Sequence, residues 1–244
     1  LRGGVNYGNS TFVVVGDTGT ILTSSDGTSW TSRTSGTSYK LMGITFGNST
    51  FVVVGSNRTI LTSSDGTSWT LRTSGGTSDD LDGVTFGNST FVVVGSNGTI
   101  ITSSDGTSWT SRTSGSSRTL YEITFGNSTF VVVGSNGTIL TSSDGTSWTS
   151  RTSGTSNTLR GSTYGNNTFV AMGDTGTILT SSDGTSWTSR TSGTSDSFEG
   201  VTFGNSTFVV VGSNGTILTS SDGTSWTSRT SGTTQTLKGV KYSE

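Results

Sequence analysis

Marked for apolar and polar positions, the chain is one short phrase written six times over, with its tryptophans (Trp30, Trp69, Trp109, Trp148, Trp187 and Trp226) spaced 39, 40, 39, 39 and 39 residues apart. The fourth copy serves as specimen. Leu120 to Phe125 places Ile123 and Phe125 on one face, the period of a half-buried strand. Gly126-Asn127-Ser128 is a turn. Thr129 to Val133 is a continuous β-branched run suited to burial on both faces. Ser135-Asn136-Gly137 carries the Asn-Gly pair of a tight hairpin. Thr138 to Ser142 forms a third strand, Asp144-Gly145 turns the chain, and Ser147 to Thr152 forms a fourth before a Ser/Thr/Gly loop. No helical period occurs in any copy.

Four short strands joined by hairpins make an antiparallel meander with two apolar faces, which is not stable alone. A fixed period of this length means one supersecondary unit copied so that neighbours bury each other's faces. Radial stacking hides both faces and leaves only short edges, so the pattern predicts an all-β, six-bladed β-propeller built from residues 1–244 as one domain. An open β-solenoid is the alternative, and its usual shorter coils and sparser hairpin chemistry count against it.

Composition changes little in this picture. Only 27% of residues are hydrophobic, but the net charge of −2 is too small for the usual disordered balance. Thirteen basic and fifteen acidic residues, evenly spread, give no field for nucleic acid. The longest apolar run falls far short of a membrane span. There is no cysteine and no histidine, which removes disulfides, thiolates, the commonest general base and the usual transition-metal ligands. The opening residue is Leu1 rather than Met, which reads as a processed product or a segment of something longer.

The segment Ser24-Ser25-Asp26-Gly27-Thr28-Ser29-Trp30 resembles the Asp-box, or BNR, repeat of sialidase-like propellers. It recurs at Asp65/Trp69, Asp105/Trp109, Asp144/Trp148, Asp183/Trp187 and Asp222/Trp226. The family pattern, Ser-x-Asp-x-Gly-x-Thr-Trp, has one more residue between Asp and Trp. The fuller string F-V-V-V-G-x-x-G-T-I-L-T-S-S-D-G is similar to bacterial propellers related to photosystem II assembly factors. The resemblance covers nearly the whole chain and implies a propeller in which the box is a folding device, on the side away from the usual binding site. The residues suit that role: the carboxylate accepts N–H groups across a turn, Gly supplies the unusual φ, and Trp fills space between blades.

Six equivalent aspartates are therefore read as turn braces, since a catalytic site is singular and pushes paired pKa values apart. The six arginines Arg33, Arg72, Arg112, Arg151, Arg190 and Arg229 are read as outer-strand residues with packed stems. No serine has a base partner, no glycine-rich loop opens a helix, and neither a metal nor a cofactor is expected. Ten Asn-x-Ser/Thr sequons, at Asn9, Asn48, Asn57, Asn88, Asn97, Asn127, Asn136, Asn166, Asn205 and Asn214, fall in predicted turns. Turn chemistry accounts for them, although in a eukaryotic secretory pathway they would be glycosylation acceptors.

The copies disagree most at the entry to the first strand, while the turns and the other three strands are nearly invariant. There lie Tyr39, Lys40 and Met42; Asp79, Asp80 and Asp82, read as solvated surface acids; Arg118, Tyr121 and Glu122; and Arg160, Phe198, Glu199 and Lys238. These variable residues are the candidate contacts for a protein or glycan partner. The resulting expectation is a non-enzymatic, extracellular or cell-surface scaffold. A lectin-like module stacking sugars on Tyr39, Tyr121 or Phe198 is the second reading, and a divergent glycoside-processing enzyme the third. First-strand copies number seven, counting the stretch around Val5 and Tyr7 and the segment 237–242. One is surplus to six blades and is available for self-association.

Overall fold

The computed structural model describes residues 4–75 and 79–242. They form six four-stranded antiparallel sheets, each in simple meander order. Sheet 1 holds β1 (Val5–Gly8), β2 (Thr11–Val15), β3 (Ile21–Ser24) and β4 (Thr31–Arg33), and sheet 2 holds β5 (Leu41–Gly47), β6 (Thr50–Gly55), β7 (Thr59–Ser63) and β8 (Thr70–Leu71). Sheet 3 follows with β9 (Leu81–Gly87), β10 (Thr90–Gly95), β11 (Ile100–Ser103) and β12 (Thr110–Arg112). Sheet 4 contains β13 (Leu120–Gly126), β14 (Thr129–Gly134), β15 (Ile139–Ser142) and β16 (Thr149–Arg151). Sheet 5 contains β17 (Leu159–Gly165), β18 (Thr168–Gly173), β19 (Ile178–Ser181) and β20 (Thr188–Arg190). Sheet 6 contains β21 (Phe198–Gly204), β22 (Thr207–Gly212), β23 (Ile217–Ser220) and β24 (Thr227–Arg229). This is the sheet content of a six-bladed β-propeller. The residues cluster into two compact units, one running to Thr119 and including Gly145–Ser147, the other comprising Leu120–Asp144 and the chain from Trp148 onward.

In the first unit, Phe51 and Val53 of β6 pack with Val13, Val15 and Ile21 of sheet 1, whereas Val52 and Val54 pack with Phe91, Val93 and Ile101 of sheet 3. Successive residues of one strand thus serve opposite cores, because side chains alternate across a strand. The second unit repeats the arrangement. Phe169 and Ala171 of β18 join Val131 and Val133, and Val170 and Met172 join Phe208 and Val210. An unbroken apolar run is required wherever a sheet is covered on both sides.

The first strands are locked together by ring and glycine. A Cβ placed on Gly8 would overlap the ring of Phe46; on Gly47, that of Phe86; on Gly126, that of Tyr164; and on Gly165, that of Phe203. Each glycine ends a first strand, and each ring belongs to the first strand of the next copy. Only a residue without a side chain allows this approach. On its own strand pair each ring leans on the phenylalanine of the second strand, as for Tyr164 and Phe169 with centroids 4.5 Å apart.

The turns are tighter than the sequence suggests. Between the first two strands the left-handed residues are the asparagine and the residue after it, as in Asn127 (φ 44) and Ser128 (φ 54), rather than the glycine. Between the second and third, the expected two-residue hairpin is a short 3₁₀ turn at Ser96–Gly98, Ser135–Gly137 and Ser213–Gly215. In sheet 2 the glycine of that turn is Arg58, held left-handed at φ 53.

We expect Gly165→Ala to destabilise by about 3 kcal/mol, the upper part of the overpacking range. Gly154→Ala, at a left-handed site with nothing within 4 Å, should cost only about 1 kcal/mol. Adding Phe203→Ala to Gly165→Ala should give less than the sum of the two losses in urea melts. Strict additivity would show that ring and glycine do not act as a pair.

Candidate functional site

The repeated S-S-D-G-T-S-W turn is a closed hydrogen-bond network. Asp183 Oδ1 accepts from Ser181 Oγ at 2.9 Å, from Thr185 N at 2.7 Å and from Ser186 N at 3.0 Å, and Oδ2 accepts from Thr185 Oγ1 at 2.6 Å. Gly184 N donates to Ser181 Oγ at 2.8 Å, and Trp187 Nε1 donates to Gly184 O at 2.9 Å. Asp26, Asp65, Asp105 and Asp222 stand in the same network, and these N–H and O–H donors hold all five carboxyls well below their ordinary range. Such a carboxylate is fully engaged in its own turn. The outer arginines are engaged likewise, Arg151 donating through Nε to Thr141 Oγ1 at 2.8 Å and Arg190 to Thr180 Oγ1 at 2.7 Å.

The tryptophans do not fill the core as expected. Trp109 is 8% exposed, but Trp30 is 41% exposed and Trp69, Trp148, Trp187 and Trp226 are half-buried. Each indole lies over its own turn, with the ring of the second-strand phenylalanine about 6 Å away where the pair is resolved, as for Phe208 and Trp226 at 6.4 Å. Several sequon asparagines bind the next copy: Asn9 Nδ2 donates to Ser64 O and Asn166 Nδ2 to Ser221 O, both at 3.3 Å. A glycan at either would displace that contact.

The variable residues have a structural reason to vary. In each of the five sheets with a full-length first strand, the ladder skips one residue near its start. Leu120 faces Gly134 and Glu122 faces Val133, so Tyr121 is opposite nothing. Met42, Asp82, Arg160 and Glu199 hold the same place. A bulged residue is freed from the alternation of its strand, and bulges commonly re-aim side chains beside functional sites.

Within the second unit the bulge residues form a charged group. Arg160 Nε donates to Asp174 Oδ1 at 2.6 Å, and its guanidinium is further stabilised by the charge of Glu199, with Tyr121 also close by. Lys238 Nζ lies 3.7 Å from Glu199 Oε2. Beside Tyr121, Glu122 occupies a position that is glycine in the other copies: Gly43, Gly83, Gly161, Gly200 and Gly239. Removal of its carboxyl from water pushes it up to about 7, opposed by the N–H of Ile123 at 3.0 Å and by the charge of Lys241.

Other expected contacts have different roles. Phe198 is fully buried in the core between sheets 5 and 6, replacing the leucine of other copies, and offers no face for stacking. Asp79 is not merely solvated: Oδ1 accepts from Asn97 Nδ2 at 2.7 Å and Oδ2 from Thr99 Oγ1 at 2.8 Å, bracing the 3₁₀ turn of its own sheet. Asp196 repeats this brace, unnoticed in the sequence because the same position is Tyr39, Arg118 and Asn157 elsewhere. Asp80 accepts from Asn57 N at 2.7 Å at the turn carrying Arg58. Tyr39 and Arg118 are exposed, and Lys40, Met42 and Asp82 are half-buried in the first unit. Among the described residues no group of His, Cys, Asp or Glu is arranged to hold a metal, and no helix is long and apolar enough to cross a membrane.

This architecture is that of the β-propellers. Among solved structures the chain is similar to streptogramin B lyase (TM-score 0.84, 14% identity, 98% of this chain and 86% of that one). It is similar to a catalytically inactive virginiamycin B lyase from Staphylococcus aureus with quinupristin (TM-score 0.81, 13% identity, 92% and 82%). It is also similar to YCF48 bound to D1 peptide (TM-score 0.71, 20% identity, 89% and 76%). No family profile and no curated protein matches the chain. The lyases correct the expectation of a non-enzymatic protein, which rested on missing catalytic residue types: structures sharing this fold include enzymes.

Two pH responses of opposite sign follow. The turn carboxylates bind protons less readily folded than unfolded, so stability should fall as pH drops below about 4. Glu122 binds its proton more readily folded, so stability should fall as pH rises from about 4.5 towards 7. Glu122→Gln should flatten that second slope in denaturant melts at pH 5 and pH 8. An unchanged slope would place the Glu122 carboxyl in ordinary solvent. Asp79→Ala should cost about 1–2 kcal/mol, as for loss of two hydrogen bonds to a charged group.

Proposed function

We propose that the protein is an interaction scaffold that binds an extended segment of a partner protein along the first-strand bulges of its second unit. The observation that carries this reading is the convergence of Tyr121, Arg160, Glu199 and Lys238, with Glu122 next to Tyr121 in the chain, non-repeated residues of a nearly invariant sequence. They alternate in sign from copy to copy, which suits a peptide of mixed charge more than a phosphate or a nucleic acid. The half-exposed Arg160 offers a planar fork for a carboxylate, and Tyr121 an aromatic surface beside it. YCF48, with the same fold, has been seen with a peptide bound, which supports this reading. The repeated Ser-Asp-Gly-Trp turn we read as an Asp-box in its bracing role.

The test is an array of extended peptides differing in charge pattern, with a glycan array alongside. Mixed-charge peptides should bind, and Arg160→Ala or Tyr121→Ala should each weaken binding about tenfold, as for a central contact. Lys40→Ala, in the first unit, should leave binding unchanged. Binding only to glycans, or peptide binding indifferent to Arg160 and Tyr121, would overturn the assignment.

A further inference from the structure

Sheets 4 and 5, both within the second unit, carry a further set of exceptions where their first strands face each other. Glu122 stands directly opposite Val133 on the ladder of sheet 4, and Thr124 opposite Val131. Opposed residues of a ladder share a side, so both belong to the face that packs through Val131 and Val133 against Phe169 and Ala171 of sheet 5. Ser162 stands opposite Ala171 and therefore faces back towards sheet 4.

The other copies show what normally occupies these places. A Cβ on Gly43, the counterpart of Glu122, would meet Asp82 O at 3.0 Å, Val54 Cγ2 at 3.1 Å and Val84 Cγ1 at 3.4 Å. Val84 is the counterpart of Ser162, which is isoleucine or valine in every other copy, and Ala171 replaces a valine. Where a carboxylate enters from β13, β17 and β18 thus give up branched apolar side chains, one of them for a hydroxyl. Three changes far apart in sequence answer one another across one seam. Thr124 Oγ1 donates to Ser162 O at 2.9 Å and is hydrogen-bonded to Ser162 Oγ, also at 2.9 Å.

This seam suits a cation. Among the described residues, Glu122 accepts a side-chain hydrogen bond only from the N–H of Ile123, at 3.0 Å, and no lysine or arginine forms an ion pair with it. Of the charged groups around it, Lys241 attracts it without touching it, Arg160 is held by Asp174, and Lys238 lies by Glu199. Tyr121 precedes it at the ladder skip, and Val133, Ser162 and Ala171 on the seam are neutral. A carboxylate withdrawn from water and lacking a counter-ion gains more from a cation than a pair at an open surface does. Glu122 keeps partial exposure, so a ligand can reach it. A guanidinium fork needs both oxygens of one carboxylate, and Ile123 already engages Oε1. An ammonium needs only one of them, with hydroxyl oxygens as further acceptors.

We propose that Glu122 is a subsite for a primary ammonium, the side chain of a lysine in the bound partner segment, on the seam that carries Thr124 and Ser162. Lysine as the source of the ammonium rests on the peptide reading above, whereas the pairing with Glu122 stands apart from it. Arg160 then takes a carboxylate of the segment and Glu122 its ammonium, which fixes the direction in which the segment lies. Only the ionised carboxyl binds. Because burial pushes its pKa up to about 7, the subsite strengthens as pH rises through that range, and lysine stays protonated throughout.

Two measurements test this. Side-chain carboxyl NMR of the full chain follows the Glu122 titration, its signal assigned by loss in Glu122→Gln, in n-butylammonium chloride and in sodium chloride at equal ionic strength. Butylammonium should lower the midpoint by about half a unit. In the second measurement, peptides that bind the chain are remade with each lysine replaced by norleucine, acetyl-lysine or arginine. Lysine at one position should bind about tenfold more tightly than any of the three at pH 8, as for a charge-assisted hydrogen bond. That preference should fade towards pH 5 and vanish in both Glu122→Gln and Glu122→Gly, the latter carrying the residue of every other copy. A midpoint indifferent to butylammonium would overturn the subsite. So would peptides that are weakened by Arg160→Ala yet blind to lysine, although peptide binding itself would then stand. Arginine bound as tightly as lysine would overturn the choice of a primary ammonium. If no peptide binds but butylammonium lowers the midpoint, the subsite holds and the peptide reading falls.

Discussion

Each sheet in this chain has two apolar faces, and neither is stable in water. Everything else follows from that constraint. The run Phe-Val-Val-Val sends alternate side chains into two different cores, so removing one neighbour exposes half of a strand rather than a surface residue. Stability therefore propagates from sheet to sheet, as in other stacked repeats. The ring-on-glycine contact fixes the distance and register at which consecutive first strands meet, because a ring with no Cβ beneath it has one place to lie. The turn networks then hold hairpins whose own strands, at three or four residues, are too short to specify a geometry.

The sheets and their order were legible because period-2 alternation, β-branched runs and Asn-Gly turns all pointed the same way in every copy. The site was less so. A bulge leaves no mark in a single repeat, since one extra residue near the start of a strand reads as ordinary alternation. Its trace was the position that varies between copies, followed by glycine in all but one. That variation picked out Tyr121, Arg160 and Glu199, which the structure places at ladder skips, but it could not separate exceptions that brace a turn from the others. Asp79 and Phe198 were misread for that reason: one binds Asn97 and Thr99, the other fills a leucine's place in the core. The tryptophans misled in the opposite sense. Their size suggested core, but an Nε1–H bond to the glycine carbonyl ties the indole to its own turn, as at Trp187, and all but Trp109 keep part of the ring exposed.

Near-identity of the repeats limits where function can reside. A residue present six times in equal surroundings has nearly equal chemistry six times, as the uniformly depressed turn carboxyls show. Asymmetry must come from the exceptions. Glu122 is the sharpest of them, a carboxyl where the other copies have glycine, and its raised proton affinity reflects removal of the carboxyl from water. Its neighbours of alternating sign can satisfy a partner's charges without leaving any of their own unpaired in the free protein, since Arg160 has Asp174 and Lys238 has Glu199. A partner bound there, as proposed, would exchange ion pairs rather than desolvate lone charges, which favours specificity over raw affinity.

Identical repeats also carry a hazard of mispairing. Any first strand can in principle pair beside any second strand, since the ladders share one register and the strand faces are nearly the same. Inside the chain, connectivity prevents exchange, because each first strand leads through a two-residue turn into its own partner. Two copies depart from the rest, β1 and the segment 237–242, the latter outside the sheets that the described residues form. The replacement of threonine by asparagine and lysine in those two copies sets them apart from the internal ones and leaves them alike in Val and Tyr. Specificity of pairing within the chain therefore rests on covalent proximity more than on the identity of the strand.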